Sequence, residues 1–292
     1  MNSRWQGRLR KHSRSGRLGA ARLTSEIFPM SKTSHGSVAL SQSYVEALKF
    51  GDRAASRQLI EASLTCGQSA QGLLNELIWP TMEFLQTLYR EDRINAATLN
   101  LATRLNRSMT EQIATKLERK ASNGKSALIF CGAAEPEELG GQIAAELFEA
   151  DGYTVRFGGG GVPHDEVLKL IGETRPNLLI LFATLPSGIP DVRKLIDWLK
   201  TVNSCPDMQI MCCGGIYKRA EGLADEIGAD LYAPDASTAV KTANENPTKR
   251  ATLEQQTVGR TRREKKAQAR RSSKAVRPQS VVPQNIPINR AA

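Results

Sequence analysis

Beyond Lys125 the chain changes from one rhythm to another, and the second rhythm admits few folds. Short apolar runs at 127–131, 153–157, 177–183, 209–213 and 229–232 read as strands. Segments at 139–150, 164–174, 191–201, 220–227 and 237–243 read as helices between and after them. Five β–α units in succession predict a parallel sheet with helices on both faces, because a parallel neighbour is reached only through a crossover. The run Leu178-Leu-Ile-Leu-Phe-Ala183 has no polar alternation, the mark of a strand buried on both faces. It is also the longest apolar run, far short of the ~20 residues that cross a bilayer. No membrane span is therefore expected.

Before Lys125 the period is helical. Residues 44–50, with Ser43 as cap, form a first expected helix and 52–66 a second. In 71–90, Leu73, Leu74, Leu77, Ile78, Met82, Leu85 and Leu88 share one stripe, which Pro80 should kink or divide. Leu99, Ala102, Leu105, Met109, Ile113 and Leu117 form another stripe in 96–120. The reading is a four-helix unit over 41–122, a turn at Asn123-Gly124, and a doubly wound five-stranded α/β domain over 125–243. The fold class is α/β, flavodoxin- or Rossmann-like, preceded by a helical bundle.

Charge separates the ends from the middle. Residues 1–36 carry a net +7 and 241–292 a net +10, whereas 37–240 carry −7. The reading is two basic, disordered tails, 1–36 and 244–292, on an acidic globule. The tails offer phosphate neutralisation to a nucleic-acid or acidic partner, although no aromatic residue interleaves the basic run 260–274. Five cysteines, odd in number and without a C-x-x-C, fit a reducing, cytoplasmic setting.

In a parallel sheet, ligands sit beyond the carboxyl ends of the strands. The segments there are Gly132 to Glu137, Gly158 to Val162, Thr184 to Gly188, Gly214-Gly215 and Tyr232 to Asp235. Gly158-Gly-Gly-Gly161 has Pro163 where a dinucleotide fingerprint needs its third glycine, so it reads as flexible backbone beside a flat ligand. Gly124-Lys125-Ser126 ends like a phosphate loop but precedes a strand and is set aside.

The order of these pieces resembles the cobalamin-binding domain with its helical cap. That arrangement is found in cobalamin-dependent methionine synthases, corrinoid proteins of methyltransferase systems, and light-responsive cobalamin-dependent repressors. The resemblance covers about residues 41–243. It rests on Glu135-Pro-Glu137-Glu-Leu-Gly140 in place of a D/E-x-H-x-x-G loop, on Cys213-Gly214-Gly215, on Gly228-Ala229-Asp230 and on Tyr232-Ala-Pro-Asp235. It implies cobalamin as cofactor, with the adenosyl or methyl form open. It also implies that Thr184 and Leu185 line a slot for the nucleotide tail, that Gly214 and Gly215 let backbone approach the ring, and that Tyr89 covers the ring from the cap. Tyr232 belongs to the same set.

The departures from the family are chemical. Glu137 stands where the family has the histidine that binds cobalt from below, and carboxylate is a harder, weaker donor for cobalt than imidazole. Glu135 stands where an acid would orient that histidine. Leu99 and Asn100 replace an acid–imidazole pair of the light-responsive cap. His164 is the only histidine of the folded middle and a candidate substitute ligand, although it also reads as an ordinary first-turn residue. Three roles follow from the resemblance: a non-catalytic sensor or regulatory module, a methyl carrier serving partner methyltransferases, or a scaffold that has lost its ligand. A homo-oligomer formed through the cap is compatible with the stripes. Trp at Gly214 or Gly215 is expected to abolish corrin binding while helix and strand content stay intact.

Overall fold

The computed structural model describes residues 35–252. The two basic tails lie outside the described residues, except for 35–36 and 244–252. The cap is four helices: α1 (His35–Phe50), α2 (Arg53–Thr65), α3 and α4 (Ala96–Ala114). The α3 helix runs as Ala70–Leu73, a π-helical turn Leu74–Ile78, and Trp79–Arg90. The expected kink at Pro80 therefore takes the form of a widened turn just before it. Proline has no N–H to give the preceding turn, and the π-turn absorbs the lost bond without ending the helix. Side chains close the other starts: Asp52 accepts from the Ala55 amide at 2.9 Å and Asn95 from the Thr98 amide at 2.8 Å. Ser43 is no cap, because α1 begins eight residues earlier, at His35. A buried polar knot fixes the bundle, with the Tyr44 hydroxyl donating to Asn106 Oδ1 at 2.8 Å and Asn106 Nδ2 donating to the Ile78 carbonyl at 3.4 Å.

The second half contains β1 (Ser126–Cys131), α5 (Glu135–Ala150), β2 (Thr154–Gly160), α6 (His164–Thr174) and β3 (Leu178–Phe182). A 3-10 turn, Pro186–Gly188, then leads into α7 (Ile189–Val202), β4 (Gln209–Cys213), α8 (Gly215–Arg219), α9 (Leu223–Ile227), β5 (Leu231–Ala233) and α10 (Ala236–Glu245). All strands are parallel in the order β2-β1-β3-β4-β5. Every residue of β3 and β4 is buried, as their unbroken apolar runs require. One face of the sheet shares a core with the cap, α5 and α10, and α6 and α7 cover the other.

Three further boundaries bear on the site. The segment 135–138, read as a loop, is the first part of α5. The helix expected over 220–227 is shortened to α9, and a further short helix absent from the reading, α8, precedes it, with a left-handed Gly222 between the two. The domain does not stop at 243. Gln209 Nε2 donates to the carbonyls of Asn246 and Lys249 at 2.9 and 2.8 Å, and Asp230 Oδ1 accepts from the Ala251 amide at 2.8 Å.

The cap is seated by stacking. Trp79 meets the ring of Phe182 edge-on at 5.9 Å and 88°. Phe182 in turn packs against α5 at Gly140, where a Cβ would come within 2.3 Å of the ring.

All five cysteines are free, with Cys66 exposed and Cys212 and Cys213 buried. Burial pushes the Cys212 thiol up to about 12 and raises Cys213 as well, so neither supplies thiolate near neutral pH. An aromatic disulfide reagent at pH 8 should label Cys66 quickly and Cys212 and Cys213 only with global unfolding. Fast labelling of the pair in the native chain would show that β4 is not the sealed strand described.

Candidate functional site

In the order β2-β1-β3-β4-β5 the connections leave in opposite directions on either side of the β1–β3 pair. A crevice must open there, outside the carboxyl ends of the two strands. The structure has a cavity of about 380 Å³ at this place, large enough for a sizeable organic group. Its walls come from the loop after β1, the glycine loop after β2, the start of α6, and Leu185 to Gly188 after β3.

Glu137 closes the floor. It is 3% exposed, and its Oε1 accepts from the backbone amides of Thr184 at 2.7 Å and Leu185 at 3.0 Å. Oε2 lies against Gly132, where an added Cβ would sit 1.9 Å from it. The side chain is thus a strut between the β1–α5 segment and the loop after β3. The carboxylate that the sequence resemblance sets in place of a histidine is thus already bonded to protein.

The neighbouring acids are engaged as well. Arg107, on the cap helix α4, pairs with Glu135 at 3.2 Å and Glu138 at 2.9 Å. Three carboxylates in the first turn of α5 suit the positive end of a helix, and Arg107 ties two of them to the cap.

The remaining predicted residues fall into two groups. Leu185, 37% exposed, lines the cavity. Thr184 and Gly215 line a separate crevice of about 170 Å³ between α3 and the carboxyl ends of β3 and β4. Tyr89 is 42% exposed at the last turn of α3, and Tyr232 stands 6.3 Å from the ring of Tyr217. Gly140 and Gly214 have packing partners in the protein itself. Gly214 adopts φ 118, ψ 170, a conformation open essentially to glycine, and a Cβ there would lie 2.3 Å from the Ala183 carbonyl oxygen. Trp at Gly214 would therefore break the junction of β3 and β4, so the clean probe of the pair is Gly215, whose Cβ would meet only the flexible end of Arg219. His164 lines the cavity with its ring edge-on to Trp198 at 6.0 Å. Leu99 is buried in the cap core and Asn100 is exposed. Gly158 and Gly160 are packing positions beneath Phe130 and beside the Gly132 carbonyl, not free hinges.

Sequence reasoning missed Arg107, Trp79 and Arg219. A lone arginine or tryptophan within a helical stripe carries no local sign that it faces another domain. Among the described residues no cluster of three or more His, Cys, Asp or Glu could hold a bare metal ion, and no helix is long and apolar enough to cross a membrane.

A helical cap on a doubly wound parallel sheet, with a cavity at the switch point, is the architecture of the cobalamin-binding domain. No protein-family model matches the chain. Its curated relatives are corrinoid proteins. The dimethylamine corrinoid protein 1 of Methanosarcina acetivorans is 28% identical over 127 residues, 43% of this chain and 59% of that protein. The dimethylamine corrinoid protein 3 of Methanosarcina mazei is 28% identical over 127 residues, 75% of its length. The chain thus spans about three-fifths of the length of the first of these relatives. Among solved structures, the monomethylamine corrinoid protein of Methanosarcina barkeri superposes with a TM-score of 0.62 at 18% identity, over 69% of this chain and 95% of that one. That likeness shows the shared fold.

Glu137→Ala should destabilise the chain by about 2–4 kcal/mol, since two backbone amides, one fully buried, lose their acceptor. Glu137→Gln keeps an oxygen in place and should recover most of the loss. Equal melting temperatures for Glu137→Ala and the parent would remove the strut.

Proposed function

We propose that this chain binds cobalamin, with the cofactor's nucleotide tail in the cavity at the β1–β3 switch point and its ring between that edge and the cap. The observation that carries the reading is the cavity itself, in the place where this topology opens a crevice. Its size suits an aromatic base with its sugar, and its walls are mostly apolar with a few polar groups.

The fit is partial, and the partial fit is chemical. The slot and the flat glycine edge at Gly215 suit the tail and ring. The lower ligand position does not suit histidine ligation, because Glu137 is bonded to the Thr184 and Leu185 amides. Leaving that strut would strand both amides. With its base held in the cavity, a bound cobalamin would take no lower ligand from Glu137. When bound, the cofactor supplies a cobalt centre able to hold a methyl group. The chain's own residues bind, orient and shield it.

The role best supported is that of a corrinoid methyl carrier, since corrinoid proteins are the relatives that the chain matches. A regulatory role without catalysis is the second reading, and Glu137 is the observation that favours it, because a carrier gains from a ligand that tunes cobalt. The basic tails remain the candidate contact for nucleic acid or an acidic partner, and they lie outside the described residues except for 35–36 and 244–252.

The full chain is incubated in the dark with hydroxo- or adenosylcobalamin and desalted, and its visible spectrum is recorded. Colour should elute with the parent protein, with base-off bands, since the tail's base lies in the cavity and not on cobalt. Ala133→Trp, which projects into the cavity from an exposed loop, and Gly215→Trp should each elute colourless with an unchanged far-ultraviolet spectrum. Parent protein without colour overturns the cofactor assignment, and coloured Ala133→Trp overturns the placement of the tail.

A further inference from the structure

The crevice between α3 and the sheet edge has a chemistry of its own. Arg90 comes from the last turn of α3, and Lys218 and Arg219 from α8. Glu83 is the carboxylate that faces them. Among the described residues none of the three cations lies within ion-pair distance of a carboxylate. Arg90 donates to the Thr87 hydroxyl at 2.9 Å and Arg219 to the Thr184 carbonyl, so both hold neutral acceptors only. Partial burial, with the Arg90 charge beside it, holds the Arg219 guanidinium below its ordinary range. Three like charges brought together from two domains, with Glu83 as the one carboxylate lining the crevice and not within ion-pair distance of them, favour an anion that joins them. A second observation points the same way. Thr184, 5% exposed, lines this crevice, and its hydroxyl has no hydrogen-bond partner in the structure. A buried hydroxyl without a partner marks a place where a group is missing.

We propose that this crevice, between α3 and the carboxyl ends of β3 and β4, is an anion subsite that takes a phosphate group, held by Arg90, Lys218 and Arg219. Its volume of about 170 Å³ admits a phosphate with its hydration. Two guanidinium forks and an ammonium suit tetrahedral phosphate oxygens through charge-assisted hydrogen bonds. The phosphate has two sources: the phosphodiester in the tail of a bound cobalamin, or a free phosphate. The first source rests on the cobalamin reading above, and the second does not.

The test uses the full chain and the Arg90→Gln/Lys218→Gln double variant, whose two positions are exposed. Thermal melts are compared in inorganic phosphate and in chloride at matched pH and ionic strength. Phosphate should raise the melting temperature of the parent, and its apparent affinity should fall about tenfold or more in the variant, the loss of charge-assisted contacts. No phosphate effect in the parent, or an equal effect in both proteins, overturns the subsite. Titration with cobalamin and with cobinamide, which lacks the phosphodiester, then separates the sources. If the tail is the occupant, the variant binds cobalamin more weakly, binds cobinamide as the parent does, and phosphate competes with cobalamin. If free phosphate is the occupant, phosphate and cobalamin bind together and the variant keeps its cobalamin affinity. A parent that responds to phosphate and binds neither corrinoid removes the cobalamin reading and leaves the subsite standing.

Discussion

A buried carboxylate holds the switch point of this sheet together. The loops after β1 and β3 leave the sheet in opposite directions, so nothing in the ladder joins them beyond the strand ends. Glu137 does so, through one oxygen that accepts two successive amides. A carboxylate taken out of water needs such donors, and successive backbone amides supply them without side-chain entropy. The closure of the cavity floor, the absence of a side chain at Gly132, and the path of Thr184 into the crevice all follow from that contact.

The cap depends on the same edge. Trp79 rests on Phe182, Phe182 rests on Gly140, and Gly140 lies one turn along α5 from Glu137. Arg107 adds a polar tie from α4 to the first turn of α5. Apolar stacking gives the docking most of its free energy, and the partly buried ion pairs fix its direction. The segment 135–140 is thus a hub that joins two domains. Gly140 is required there because the Phe182 ring packs on it, and that contact is needed whether or not a ligand is bound.

Much of this architecture was legible in the residues. The unbroken apolar runs of β3 and β4, the stripes of the four cap helices and the turn residues at 123–124 act locally, so periodicity and composition report them. The cavity's place was legible too, since the strand order of a doubly wound sheet fixes where its connections diverge. Less legible were the extra turns of α1, the helical state of 135–138 and the tethering of 246–251. Each is decided by a distant partner: the rest of the bundle for the first, Thr184 and Leu185 for the second, Gln209 and Asp230 for the third.

The chemistry of the site divides along the same line. The sequence by itself determined that a glutamate, and not a histidine, stands at 137 in the segment after β1, and that glycines flank the strand ends. Tertiary structure alone decided that Glu137 bonds to protein, that Gly214 is demanded by the Ala183 carbonyl, and that Arg90 and Arg219 share one crevice between the cap and the sheet. Periodicity comes from backbone geometry within a few residues. The partner of a polar side chain comes from loops brought together by folding, 47 positions apart in the case of Glu137 and Thr184.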